Sequence, residues 1–295
     1  MAPGFSSKQE KKMIYFSDIN LKISEHFAIQ NVGLEVRQGE LFALLGPNGM
    51  GKSTLIDIIT NVIHPNSGMV KICGRDFHEM KKHVGVLYEY TPMFYYSTVK
   101  EILAYLCVIY NVRFERLKTY IEKLQMREKI DSLAKVLSKG ERRKAGILFA
   151  LVHDPSILIL DEPTAGMDPF MRDVCWTIFK QHDRTIFFTT HYWDEATEHA
   201  DRIAFISRGK IIGIDTPSSF LSNYLNCQQK ISVPLTFDLS TIDHSVLYVL
   251  NDDKYLIYTQ NEEAISHIQK STDSYSISSI DLKDVYLYLT KYGGD

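Results

Sequence analysis

Short aliphatic runs punctuated by turns open this chain, a helical spacing follows, and the aliphatic runs then return. Met13-Ile14-Tyr15-Phe16 and Leu41-Phe42-Ala43-Leu44-Leu45 read as strands. The second is an unbroken apolar run of the kind that parallel sheets bury on both faces. Thr54 to Asn61 reads as a helix, and His64-Pro65-Asn66-Ser67-Gly68 as a turn before the strand Met69-Val70-Lys71-Ile72. From about residue 92 to 150 the period is helical. Thr98 with Glu101 forms a capping box for a helix to about Tyr110, and Phe114, Leu117, Ile121 and Leu124 stripe one face of the next. Strands resume at 157–160, 185–190 and 203–206, which predicts an α/β fold with a helical subdomain inserted into a mixed sheet.

After Thr216-Pro217 and a short helix to about Tyr224 the pattern changes again. Ile231, Val233, Leu235 and Phe237 alternate as in a half-buried strand; Val246 to Leu250 and Tyr255 to Tyr258 follow, then a helix at 262–270, a strand at 275–280 and a last helix at 281–290. The expected organisation is a flexible polar tail over 1–12, a main domain over 13–222 and a small α+β C-terminal domain over 223–295.

Charge and cysteine content narrow the function classes. The formal net charge of −3 is unevenly spread, because residues 223–295 hold five lysines, no arginine and ten acidic residues, leaving +2 for the rest. An acidic tail argues against a nucleic-acid-binding arm, so no nucleic-acid partner is expected. Cys73, Cys107, Cys175 and Cys227 are far apart and form no C-x-x-C pair, which points to a reducing compartment rather than a disulfide framework or zinc site. Met1 to Lys12 lacks the apolar core of a signal peptide, and no apolar run approaches the roughly 20 residues that cross a bilayer.

Two segments carry chemistry. Gly46-Pro47-Asn48-Gly49-Met50-Gly51-Lys52-Ser53 fits G-x-x-x-x-G-K-[ST] and lies between a buried strand and a helix. That context lets backbone amides and a helix N-terminus cradle a polyphosphate, with Thr54 next in the helix, Lys52 on the outer phosphates and the Ser53 hydroxyl on magnesium. Ile157-Leu158-Ile159-Leu160-Asp161-Glu162 is an aliphatic strand that delivers two adjacent carboxylates to one point. In a parallel nucleotide-binding sheet, ligands sit at the carboxyl ends of the strands, so both should face the phosphates held by Lys52. Asp161 is assigned to the magnesium shell and Glu162 to the base acting on the attacking water. Together the two segments predict a P-loop NTPase core using ATP and Mg2+.

Leu137-Ser138-Lys139-Gly140-Glu141, between these segments, and His191, after the strand Thr185 to Thr190, complete a pattern. Over roughly residues 13–220 the chain resembles the nucleotide-binding subunit of an ATP-binding-cassette transporter. The resemblance implies an ATPase at the cytoplasmic face of a membrane, working with a transmembrane permease subunit and a second nucleotide-binding subunit, identical or different. It implies that Ser138 and the Gly140 amide face the partner's γ-phosphate, that Asp168 lies in a loop crossing the dimer interface, and that His191 is the switch histidine. Three departures from the family pattern involve four positions. Lys139 and Glu141 stand in a motif that normally reads Leu-Ser-Gly-Gly-Gln, the lysine resembling an exporter-branch variant. Glu89, in Val84-Gly85-Val86-Leu87-Tyr88-Glu89, takes the place of a glutamine that serves magnesium and water; a carboxylate ligates metal but donates no hydrogen bond. The adenine-stacking aromatic falls at Ile23, with Tyr15 and Phe27 as alternatives.

Tyr88, Tyr90, Phe94, Tyr95 and Tyr96 cluster beside Glu89, where the family receives a coupling helix; at least two are expected to line a docking groove. The ending Ile280 to Thr290 resembles the C-terminal piece of drug-resistance and polysaccharide-type exporter ATPases, which favours export. The competing readings are a soluble cassette ATPase acting on ribosomes or DNA and a regulatory module that binds ATP with slow turnover. Co-purification with a membrane protein separates the first reading from these.

Overall fold

The structure is a computed structural model and describes residues 12–292 apart from 226, 228, 243–246 and 252. The expected tail over 1–12, except Lys12, and the expected strand start at Val246 lie outside the described residues. Strands β1 (Lys12–Lys22) and β2 (Ala28–Arg37) are followed by β3 (Leu41–Leu45), helix α1 (Lys52–Ile59), β4 (Ser67–Ile72), α2 (Phe77–Met80) and β5 (Val84–Leu87). The helical insertion contributes α3 (Val99–Tyr110), a 3-10 turn at Phe114–Leu117, α4 (Lys118–Lys123) and α5 (Lys139–Leu151). Then come β6 (Ile157–Asp161), α6 (Pro169–Phe179), β7 (Thr185–Thr190), α7 (Trp193–His199), β8 (Arg202–Ser207), β9 (Lys210–Asp215) and α8 (Pro217–Asn223). The C-terminal part holds β10 (Gln229–Pro234), β11 (Leu247–Asn251), β12 (Lys254–Tyr258), α9 (Glu262–Ser271), β13 (Ser276–Ser279) and α10 (Leu282–Tyr292).

A six-stranded sheet runs β5-β6-β7-β3-β8-β9, parallel except for the edge strand β9. Its central strands β3, β6 and β7 are buried along almost their whole length, as their apolar runs require. An antiparallel sheet, β2-β1-β4, covers one face through Ile14, Phe16, Ile29 and Val36, which pack with Phe42, Leu44 and α1. The opposite face packs against α5 and α6 through Leu148, Leu151, Trp176 and Phe179.

The capping box expected at Thr98 forms in both directions: Glu101 N donates to Thr98 Oγ1 at 3.1 Å, and Thr98 N to Glu101 at 2.8 Å. The single helix expected over Phe114 to Leu124 is instead a 3-10 turn passing into α4. Val84 to Leu87, absent from the strands expected above, is the edge strand β5. Gly85 hid it, and tertiary packing explains that glycine: a Cβ there would stand 2.3 Å from the Ala150 carbonyl of α5.

Beyond residue 228, β11-β12-β10-β13 form a separate antiparallel sheet whose strand alternation serves two cores. Ile257, Ile231 and Val233 pack with Ala264 and Ile268 of α9, while Leu256 and Tyr258 join Leu282, Val285 and Leu289 against the main body. Helix α10 seats Tyr286 beside Trp193, centroids 5.2 Å apart, and its hydroxyl donates to the Ile206 carbonyl. At its start the buried Asp284 carboxylate accepts from Lys230 at 2.6 Å, Tyr258 at 3.0 Å and the Asp281 amide at 2.7 Å.

His199 ends α7 with its ring 4.3 Å from Trp176 and Nδ1 3.2 Å from Lys180 Nζ. Burial, and secondarily the Lys180 charge, pull its pKa from 6.5 to about 4. Between those values the unfolded chain binds the proton and the folded chain does not, so stability falls as pH drops from about 6.5 toward about 4. His199→Gln is expected to flatten that limb in urea denaturation at pH 7 and pH 4.5; an unaltered pH slope would assign the acid sensitivity to other groups.

Candidate nucleotide-binding site

The loop from β3 to α1 requires its glycines. A Cβ at Gly46 would stand 2.5 Å from the Ile206 carbonyl, and Gly51 caps α1 with φ of 102°. No side chain caps α1, so its first amides remain available to an anion. Lys52 is buried and its Nζ donates to the carbonyls of Gly46 at 2.7 Å and Pro47 at 3.1 Å, with Glu162 Oε1 3.3 Å away. Phosphate oxygens are stronger acceptors than these carbonyls, so the ammonium is already at a point where a polyphosphate could take it over.

At the other side of the cleft β6 ends in its two carboxylates. Asp161 is 2% exposed and accepts from Thr189 Oγ1 at 2.5 Å. Glu162 turns the chain with φ of 51°, a left-handed conformation that non-glycine residues seldom adopt and that recurs at functional sites. Its amide donates to Thr189 O at 3.1 Å and Oγ1 at 3.0 Å, which holds the turn against β7. One carboxylate oxygen of Glu162 lies 2.6 Å from His191 Nδ1. The other, Oε1, is buried with no hydrogen-bond donor; at 3.3 Å, Lys52 supplies charge rather than a directed bond. Burial pushes the Glu162 carboxyl above its ordinary pKa, with Lys52 and His191 pulling the other way. A carboxylate so placed accepts a proton more readily than an exposed one.

Asn48, Gly49, Gly51, Lys52, Ser53 and Thr54 share a cleft of about 640 Å³ with Glu89, Glu162 and His191. Ile23 and Phe27 also line it, whereas Tyr15 faces a separate surface groove. Of the remaining predicted positions, Met50 packs into the core and accepts from the Arg208 amide, and Asp161 sits behind the wall on its Thr189 bond. Ser138 and Gly140 do not line this chain's own cleft, although Lys139 does. Ser138 N-caps α5: Glu141 N donates to its Oγ at 3.2 Å and Ser138 N donates to Glu141 at 2.8 Å. The Ser138 backbone bond and Lys129, 3.1 Å away, hold the Glu141 carboxyl below its ordinary pKa. A carboxylate thus closes the capping box where the motif usually has an amide. Asp168 N-caps α6 through the Met171 amide at 3.0 Å.

Three contributors escaped the sequence reading. Thr189 ties the Asp161 carboxylate to the Glu162 amide, Glu195 accepts from Thr164, Trp176 and Thr190, and Arg143 reaches the carbonyls behind Asp161 and Glu162. Periodicity gives them no role, since each acts across distant segments. Among the described residues no three His, Cys, Asp or Glu side chains group as a metal site. A hydroxyl and one or two carboxylates, completed by phosphate oxygens and water, is nonetheless a donor set that suits Mg2+, and Glu162 Oε1 is buried without a donor.

Residues 29–165 match the family described as ABC transporter. This chain carries a domain of the ABC transporter family. The chain is 30% identical to the human "Cholesterol transporter ABCA5" over 294 aligned residues, covering 89% of this chain and 18% of that protein. It is 29% identical to "Nod factor export ATP-binding protein I" of Burkholderia lata over 225 residues, covering 72% of this chain and 74% of that protein. The solved "Structure of ATP binding subunit of ABC transporter" superposes with a TM-score of 0.65 at 22% identity, covering 70% of this chain and 91% of that one, which supports the fold. The chain therefore spans less than a fifth of the length of the human relative. Among the described residues no helix is long and apolar enough to cross a membrane.

Thr189→Val is nearly isosteric but removes the hydroxyl that serves Asp161 and Glu162. In the cassette it should cost about 1–3 kcal/mol, measured by chemical denaturation; no loss would show that water replaces the hydroxyl.

Proposed function

We propose that the chain is the ATP-hydrolysing subunit of an exporter-type ABC transporter, acting at the cytoplasmic face of a membrane beside a permease subunit and a second cassette. The observation that carries the hydrolytic assignment is the buried Glu162 carboxylate, with one oxygen on His191 and the other free beside Lys52. Export is supported by the name of the Nod factor relative, and the C-terminal sheet by the alignment with the human relative, whose 89% coverage must extend past residue 222. In this reading residues 13–222 are the cassette and 223–295 its accessory domain.

Lys52 and the first amides of α1 bind the phosphates, and the Gly46 to Ser53 loop wraps them. Ser53, Asp161 and Glu89 would hold Mg2+, which when bound neutralises charge on the phosphate oxygens. Glu162 takes the proton of the attacking water, and His191 orients that carboxylate. Phe27, half-buried beside Gly51, is the aromatic suited to the adenine ring, in place of the exposed Ile23. Ser138 and Gly140 complete the site of the second cassette from the N-terminus of α5. Tyr90, Phe94, Tyr95 and Tyr96 are all at least 60% exposed and form the face offered to the permease.

Glu162→Gln should leave ATP binding intact and lower turnover by about 10²-fold or more, measured with the purified chain alongside a permease preparation. Undiminished hydrolysis would remove Glu162 from the base role. Lys52→Ala should weaken nucleotide binding itself, and an unchanged ATP affinity would contradict the phosphate-loop assignment. Tyr95→Ala combined with Tyr96→Ala should impair assembly with the permease while leaving the circular dichroism spectrum intact. Assembly at the wild-type level would place the docking face elsewhere.

A further inference from the structure

Arg143 plays no part in the roles assigned so far, yet its side chain meets both segments that carry the candidate magnesium and water ligands. It lies on α5, is 6% exposed, and donates to backbone carbonyls alone. Nη1 donates to Tyr88 O at 2.6 Å and Glu89 O at 3.1 Å, Nε donates to Pro163 O at 3.2 Å, and Nη2 donates to the carbonyls of Asp161 and Glu162. The β5–β6 ladder ends at the pair Leu87–Leu160, so the two segments that follow are bridged by this guanidinium. A buried cation is costly unless its donors are satisfied. Here every contact fixes the backbone of a residue bearing a site carboxylate or its immediate neighbour. The planar fork of arginine reaches two segments at once, which the single ammonium of lysine does not.

We infer that Arg143 is a positioning residue whose guanidinium locks the Glu89 loop to the Asp161–Pro163 turn, so that Glu89, Asp161 and Glu162 present one magnesium-and-water site. This rests on the ATPase reading above. Arg143 touches neither the β3–α1 loop nor Lys52 in any of these contacts, so phosphate binding without metal does not depend on it. What depends on it is the increment in ATP affinity that Mg2+ adds. The same side chain begins one and a half turns after Ser138, and a displacement of the α5 N-terminus is therefore passed to both carboxylate segments.

The test is equilibrium titration of the full chain with a fluorescent ATP analogue, in EDTA and in Mg2+, for wild type and Arg143→Lys. The affinity in EDTA should be unchanged, and the gain on adding Mg2+ should shrink about tenfold or more, as for other residues that orient metal ligands. Equal weakening in both conditions would reveal a merely structural role and overturn the inference, as would an unaltered Mg2+ gain. Failure of the wild type to bind the analogue would sink the ATPase reading itself, whereas wild-type binding with an unchanged gain in the variant sinks only the role of Arg143. Should Arg143→Lys not fold, hydrogen exchange on the wild-type chain decides. On adding Mg2+ and the analogue, amides at 88–91, at 162–165 and around Arg143 should gain protection together, and protection of one carboxylate segment without the other overturns the coupling.

Discussion

Two neighbouring carboxylates are buried at the end of one strand, and the rest of the site can be understood as the arrangement that makes this tolerable. Removing an ionised carboxylate from water is expensive unless donors or opposite charges replace its hydration. Asp161 receives the Thr189 hydroxyl, and Glu162 receives His191 on one oxygen and the charge of Lys52 near the other. The compensation is incomplete, because Glu162 Oε1 accepts no hydrogen bond and burial raises its proton affinity. A group held in this state is disposed to take a proton, which is what the proposed hydrolysis asks of it. The left-handed turn at Glu162 belongs to the same arrangement, since it aims the side chain into the cleft while its amide stays bonded to β7.

The fold keeps the pieces of that arrangement at one edge. Parallel pairing of β6, β7 and β3 brings three carboxyl ends together, so Glu162, His191 and the Gly46–Ser53 loop meet although nearly 150 residues separate the first and last of them. Helix α5 then fastens the Glu89 loop to the same edge from beneath. The C-terminal sheet reaches the site less directly: Tyr286 of α10 packs on Trp193, two residues beyond His191, and so stiffens the helix that follows the histidine. The buried Asp284, satisfied by Lys230, Tyr258 and the Asp281 amide, ties the start of α10 to β10 and β12.

Much of this was legible beforehand because it is local. The apolar runs of β3, β6 and β7, the capping box at Thr98 and the glycine–lysine loop each express a rule that acts within a few residues. The strand β5 was not legible, because its glycine answers to the Ala150 carbonyl of a helix some 65 residues away. The helix expected through Phe114 broke into a 3-10 turn and a shorter helix for a related reason, as its apolar stripe says which residues are buried but not how the backbone meets its neighbours.

The amino-acid order by itself determined the chemistry on offer: a loop able to wrap phosphates, a strand delivering Asp161 and Glu162, and a helix start at Ser138, since backbone geometry and short-range bonding specify these. Tertiary structure alone decided how that chemistry is held. Thr189, Glu195 and Arg143 act through contacts with distant segments, Phe27 rather than Tyr15 faces the cleft, and Met50 turns inward to the core. Such choices depend on which surfaces the sheets bury against one another, and desolvation between segments far apart in sequence leaves no periodic trace along the chain.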